Sequence, residues 1–214
     1  MIKKNLKLLI FTSVIILLPI VAGLLLWDKL PDEIPVHFNA QGAADSWAGK
    51  GFGVFGMPLF LLAVHWLCTA VTGLDPKKKN ISQKSMGLVL WICPALSLFV
   101  NGIIYAYTMN SEINISTACM LFFGAMFIVI GNYMPKCKQN YSIGIKIPWA
   151  LNSENNWNYT HRLAGKVWVI GGLFIIATAF LNWVWLFTAT MIIMIVIPVA
   201  GSYLYHKKEN QNDI

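Results

Sequence analysis

Two polar segments carry the side chains able to do chemistry in a chain that is otherwise 57% apolar. The first holds His37 and Asp45, with Pro35, Phe38, Asn39, Gly42, Trp47 and Lys50 around them. Histidine titrates near neutrality and asparagine favours a turn. A metal centre wants a fuller ligand set than one histidine and one carboxylate, so no metal is expected here. The second segment runs from Gly131 to Gly165. It sets Asn132, Pro135, Lys136, Asn140, Gly144, Lys146, Pro148, Trp149, Trp157, Thr160, His161 and Arg162 between two apolar runs, with Lys166 just beyond. Arginine forks onto phosphate and tryptophan anchors at headgroup depth, so this segment suits a lipid headgroup or an anionic partner. Simple anchoring by charge and interfacial tryptophan explains the cations and the rings. It does not explain the Asn132, Pro135, Asn140, Gly144 and Pro148 punctuation, which implies a fixed loop conformation. No nucleophile pairs with a base, and neither HExxH nor a glycine-rich phosphate loop is present. Neither catalysis nor a cofactor is expected.

Membrane helices must hold these segments. Only 12% of the residues are charged, against about 25% in a soluble domain. Six apolar runs, near Leu8–Trp27, Val54–Thr72, Met86–Thr108, Ile115–Met134, Val167–Leu181 and Trp183–Tyr205, read as membrane spans, each crossing ~30 Å of hydrocarbon. Only Asn182 and its neighbours separate the last two. The backbone must satisfy its own hydrogen bonds in lipid, so an all-α bundle is expected. A β-barrel would show alternating runs of about 10 residues. Lys3, Lys4 and Lys7 precede the first run as in a signal peptide. The run is longer than the about 7–15 residues of a signal core, and no small-x-small site follows, so an uncleaved first helix is the better reading.

Charge orients the bundle. An inside N-terminus puts Lys3, Lys4, Lys7, Lys77, Lys78, Lys79, Lys84, Lys136, Lys138, Lys146, Arg162, Lys166, Lys207 and Lys208 on the inner side. Only Lys29 and Lys50, of 16 cations, fall outside. Both termini are then cytoplasmic. The net charge of +7 reads as membrane orientation, and no direct nucleic-acid partner is expected. Cys68, Cys93 and Cys119 fall within helices and Cys137 at an inner edge, where free thiols are expected. Pro19, Pro58, Pro94 and Pro198 fall within helices, each a source of a kink.

The chain divides into a two-helix region with the outer loop (1–73), a middle helix region (74–114) and a C-terminal region with the large inner segment (115–214). Asp28–Gly53 reads as a turn-rich loop folded onto helix ends, and Asp75–Lys84 as a topology anchor beside anionic lipid. His65 lies at membrane depth, a place where an ionisable group is functionally suspect, with Asn101 as a partner to consider. No Asp, Glu, Lys or Arg falls inside a span, and no internal repeat is visible. Both features weaken a transporter reading.

Pro35-Val36-His37-Phe38-Asn39-Ala40-Gln41-Gly42 with Asp45 and Lys50 resembles the small uncharacterised domain that opens many bacterial Sdp immunity proteins. Gly131–Lys136, followed by Asn140, Ile143–Lys146, Pro148-Trp149, Trp157 and Thr160-His161-Arg162, is similar to the second signature of the same family. With six spans, the resemblance covers nearly the whole chain. Two positions depart: Lys146 stands where the pattern has Arg, and Ala150 where it has Thr. Lysine keeps the charge and loses the bidentate fork. The resemblance implies a non-enzymatic, multi-pass protein of the bacterial cytoplasmic membrane. Such a protein shields the cell from an Sdp-type peptide toxin that acts from outside by collapsing the membrane potential. It also implies, for some members, a small cytosolic autorepressor held at the membrane. The outer loop would then face the peptide toxin, and the inner segment the autorepressor. The alternatives are a small transporter or exporter, and a membrane enzyme acting on lipid or peptide with His161 as acid or base.

Overall fold

The computed structural model describes residues 2–181 and 183–212; Asn182, the expected break between the last two spans, lies outside the described residues. In chain order the elements are α1 (Ile2–Leu25), β1 (Glu33–Phe38), β2 (Ala44–Gly49), α2 (Lys50–Leu74), α3 (Gln83–Thr108), α4 (Ile115–Tyr133), α5 (Pro148–Asn152), α6 (Glu154–Thr178) and α7 (Val184–Asn212). Among the described residues, six of these helices are long and apolar enough to cross a membrane. The chain is an all-α, multi-pass membrane protein, as its composition leads one to expect.

Two elements differ from the sequence reading. The fifth span, expected from Val167, belongs to a helix that already begins at Glu154. Ser153 caps it, its hydroxyl accepting from the Asn156 amide at 3.1 Å, with Glu154 in the first turn where a helix favours an acid. Its buried residues Trp157, Thr160, His161, Ala164 and Gly165 fall at helical spacing. The turn-rich loop after α1 is instead a β-hairpin. Pro35 lies within β1, and both strands of a two-stranded sheet are edges, where proline is tolerated.

The chain forms two compact units. One joins Met1–Gly73 with Gly87–Ala118; the other joins Leu74–Met86 with Cys119–Ile214. In the first, α1, α2 and α3 surround a core of Ile16, Leu61 and Cys93. A second cluster of Leu30, Ile34, Val54, Ile104 and Tyr105 lies under the hairpin. Two polar side chains inside this unit find backbone partners across helices: Ser97 donates to the Ile16 carbonyl at 2.8 Å and Tyr105 to that of Pro19 at 2.9 Å. Such pairing is what hydrocarbon demands.

In the second unit two glycine pairs bring α4 and α6 into backbone contact. A Cβ at Gly172 would meet the Gly124 carbonyl at 2.6 Å, and one at Gly165 the Gly131 carbonyl at 2.8 Å. Small residues at such crossings let membrane helices pack by van der Waals contact, where no hydrophobic force drives them together. Trp168 then ties α6 to α7, donating to the Met194 carbonyl at 2.9 Å.

Candidate functional site

The hairpin of the first unit is built on Asn39. Its side-chain carbonyl accepts from the amides of Gln41 and Ala43, each at 3.0 Å. Gly42 adopts φ +79°, a conformation natural to glycine. Bulges on both sides of His37 shift the register, bringing it level with Ser46 beside Asp45. Nδ1 of His37 lies 2.6 Å from a carboxylate oxygen of Asp45, and both side chains are exposed. The base of the hairpin is fixed: Ile34 is fully buried, Pro35 is buried, and the Phe38 ring meets Tyr107 edge-on at 5.1 Å. Trp47 packs at 6.4 Å from the same Tyr107 and stays half exposed. Lys50 is turned inward, donating to the Trp27 carbonyl at 3.2 Å over that residue's ring. The hairpin therefore presents His37, Asp45 and Trp47 from a pinned base.

His65, on α2, is fully buried, and its partner is Thr12 rather than Asn101. The Thr12 hydroxyl donates to the carbonyls of Leu8 and Leu9, so Nε2–H of His65 donates to Thr12 at 3.0 Å. Nδ1 of His65 and Oδ1 of Asn101 are buried without a hydrogen-bond partner among the described residues.

In the second unit the segment after α4 is a loop held from all sides. Asn140 organises it: its oxygen accepts from the amides of Ser142 and Ile143 at 2.9 and 2.6 Å, and its nitrogen donates to the carbonyls of Lys138 and Ile143. Gly144 follows with φ +121°, lying over Trp157 and His161 so closely that a Cβ would strike His161 Nε2 and crowd the Trp157 ring at 3.1 Å. Trp157 is fully buried, donates to the Cys137 carbonyl at 2.8 Å and stacks on His161 at 4.0 Å. A carbonyl only accepts, so Nδ1–H of His161 donates to Trp157 O at 2.8 Å, and Nε2 accepts the Ile145 amide at 3.1 Å. His161 is thus a neutral imidazole with both nitrogens used inside the fold, and none is left free for a substrate.

Four residues central to this loop carried no signal in the sequence reading. Asp75, buried just after α2, accepts from the amides of Lys77 and Tyr141 at 2.7 and 2.9 Å and from the Ser142 hydroxyl at 2.5 Å. Gln139 accepts from Lys77 and donates to the carbonyls of Ala150 and Leu151. Asn156 and Ser202 form a buried polar cluster with Thr160: Ser202 donates to Asn156 at 2.5 Å, Thr160 donates to Ser202 at 2.6 Å, and Trp149 donates to Ser202 at 3.0 Å. An acid among Lys77, Lys78 and Lys79, where only cations serve as anchors, was the available clue to Asp75. The Asn156 and Ser202 partners lie 46 residues apart, beyond any local pattern.

The remaining residues of this segment stay at the surface. Asn132, Pro135, Lys136, Lys146, Pro148 and Arg162 are exposed, although the Pro135 ring packs on Gly165 and Lys136 lies over Tyr133. Burial pushes the Cys137 thiol up from its ordinary range. Among the described residues, no group of three or more His, Cys, Asp or Glu is placed to hold a metal.

Residues 136–202 match the SdpI/YfhL protein family, and residues 14–62 match a domain of unknown function (DUF1648). The first match runs from the start of the clamped loop to Ser202, which closes the polar cluster. The second contains the whole hairpin. The chain is 27% identical over 216 residues to the Immunity protein SdpI of Bacillus subtilis (strain 168), an alignment covering 97% of this chain and 98% of that protein. No solved structure matches the chain. Together with the six spans, this likeness places the chain in a bacterial membrane as a multi-pass protein, and its relative is named for immunity rather than for a reaction.

Proposed function

We propose that this chain is an Sdp-type immunity protein of the bacterial cytoplasmic membrane, shielding the cell from a peptide toxin that arrives on the hairpin side. The likeness to an immunity protein along nearly the full length carries this reading. The distribution of cations supports an inside N-terminus and an outward hairpin. His37, Asp45 and Trp47 then face the incoming peptide. An exposed hydrogen-bonded pair beside a half-exposed aromatic ring, on a rigid base, is suited to recognition with little ordering cost. The use of both His161 nitrogens inside the fold speaks against His161-based catalysis. Among the described residues the spans carry no carboxylate apart from Glu154 and Glu209 near helix ends, which speaks against a proton-coupled transporter.

The same cation pattern puts Lys136 and Lys146, both exposed, on the inner side, where they would meet an acidic surface as an autorepressor held at the membrane would require. The test is survival of a toxin-sensitive bacterium challenged with an Sdp-type peptide. Cells expressing the chain should survive, and the H37A and D45N chains, at equal membrane abundance, should protect poorly. Expressing cells that die like those without the chain would refute the proposal.

A further inference from the structure

We infer that the groove between α6 and α7 holding Arg162 and Lys166 binds the headgroup phosphate of an anionic phospholipid. The open groove has a volume of about 480 Å³, and its polar lining includes Asn158, Tyr159, Arg162, Lys166 and Tyr205. Arg162 and Lys166 are exposed one turn apart on α6, and among the described residues neither forms an ion pair. Arginine forks onto phosphate oxygens, while lysine adds a second, flexible charge.

What distinguishes this groove from plain positive-inside anchoring is the continuation of the same helix face. Asn158, Arg162, Lys166, Ile170 and Phe174 follow one another at four-residue spacing. Ile170 is 67% exposed and Phe174 45% exposed, on a helix apolar enough to span the bilayer. Charge gives way to lipid-facing hydrocarbon within one turn, about 5.4 Å, which is how phosphate gives way to acyl chain. The facing wall on α7 runs from the polar Tyr205 hydroxyl through Gly201 to the exposed Ile197. A free phosphate ion would use the cations and leave the apolar continuation unused; a phospholipid uses both.

The walls are fixed before any ligand arrives. Leu163 packs against Gly201, the Tyr159 and Tyr205 rings stack at 4.7 Å, and the opposite face of α6 is locked by His161, Ala164 and Gly165. Preorganisation of this kind lowers the ordering cost of binding.

Native mass spectrometry of the full chain in detergent tests this, with phosphatidylglycerol, phosphatidylcholine and inorganic phosphate added separately. The wild-type chain should retain phosphatidylglycerol one-to-one, and phosphatidylcholine and inorganic phosphate much more weakly. R162Q/K166Q should hold phosphatidylglycerol roughly tenfold more weakly, K3Q/K4Q should match wild type, and R162K should fall between. Both altered residues are exposed, and an unchanged melting temperature verifies folding. Undiminished phosphatidylglycerol binding by R162Q/K166Q, or equal binding of phosphatidylcholine, would overturn the lipid site. Inorganic phosphate bound as tightly as phosphatidylglycerol would make it a free-phosphate site instead.

Discussion

The hydroxyl of Ser142 donates to the carboxylate of Asp75 at 2.5 Å, joining a loop between two helices to a loop 67 residues further along the chain. The same carboxylate takes the Tyr141 amide, so Asp75 receives only donors. Asp75→Asn would turn one acceptor into a donor facing a donor, at a cost of about 1–3 kcal/mol. Cys137 lies in this loop and reports on it. In a chain keeping Cys137 as its sole cysteine, burial and the raised thiol pKa should make maleimide labelling slow, and Asp75→Asn should speed it several-fold. An unchanged labelling rate would mean that Asp75 does not hold the loop.

Gly144 is the position where the loop tolerates no side chain. At φ +121°, with Trp157 and His161 beneath it, Gly144→Ala meets both backbone strain and a collision. The strain alone is of the order of 1–3 kcal/mol. Thermal unfolding in detergent should register a lower Tm for Gly144→Ala. No comparable change is expected for Gly49→Ala, where a Cβ meets nothing within 4 Å. Equal melting would contradict the packing described.

The α4–α6 crossing makes a separate prediction. Gly165→Leu would push against the Gly131 carbonyl and the Pro135 ring, parting two helices whose attraction depends on close approach. The expected outcome is a lower yield of folded protein in detergent-solubilised membranes. Wild-type yield and melting for Gly165→Leu would show that the contact can be lost at no cost.

The hairpin should separate stability from protection. Because the His37–Asp45 pair is exposed, its loss should change stability by less than about 1 kcal/mol. His37→Ala and Asp45→Asn should therefore keep wild-type melting and membrane abundance while losing protection. A variant that protects fully would remove this pair from the toxin-facing surface.

How far the sequence alone could reach depends on the range of each interaction. The spans were legible because hydropathy is a local sum, and the Asn140 and Gly144 punctuation because turn chemistry is local too. The early start of α6 was obscured by its polar first turns, although Ser153 and the spacing of the buried residues mark it. The hairpin was hidden by the many prolines and glycines of Asp28–Gly53, which read as a plain loop. Asp75, Asn156 and Ser202 owe their roles to partners 46 to 67 residues away. For the same reason composition could place His65 at membrane depth without pointing to Thr12, 53 residues earlier, as its partner.

The most direct test is the membrane potential of a sensitive bacterium expressing this chain, followed after addition of a purified Sdp-type peptide toxin. The potential should hold in cells with the wild-type chain and collapse in cells with His37→Ala at equal membrane abundance. Depolarisation of wild-type-expressing cells as fast as cells without the chain would contradict immunity.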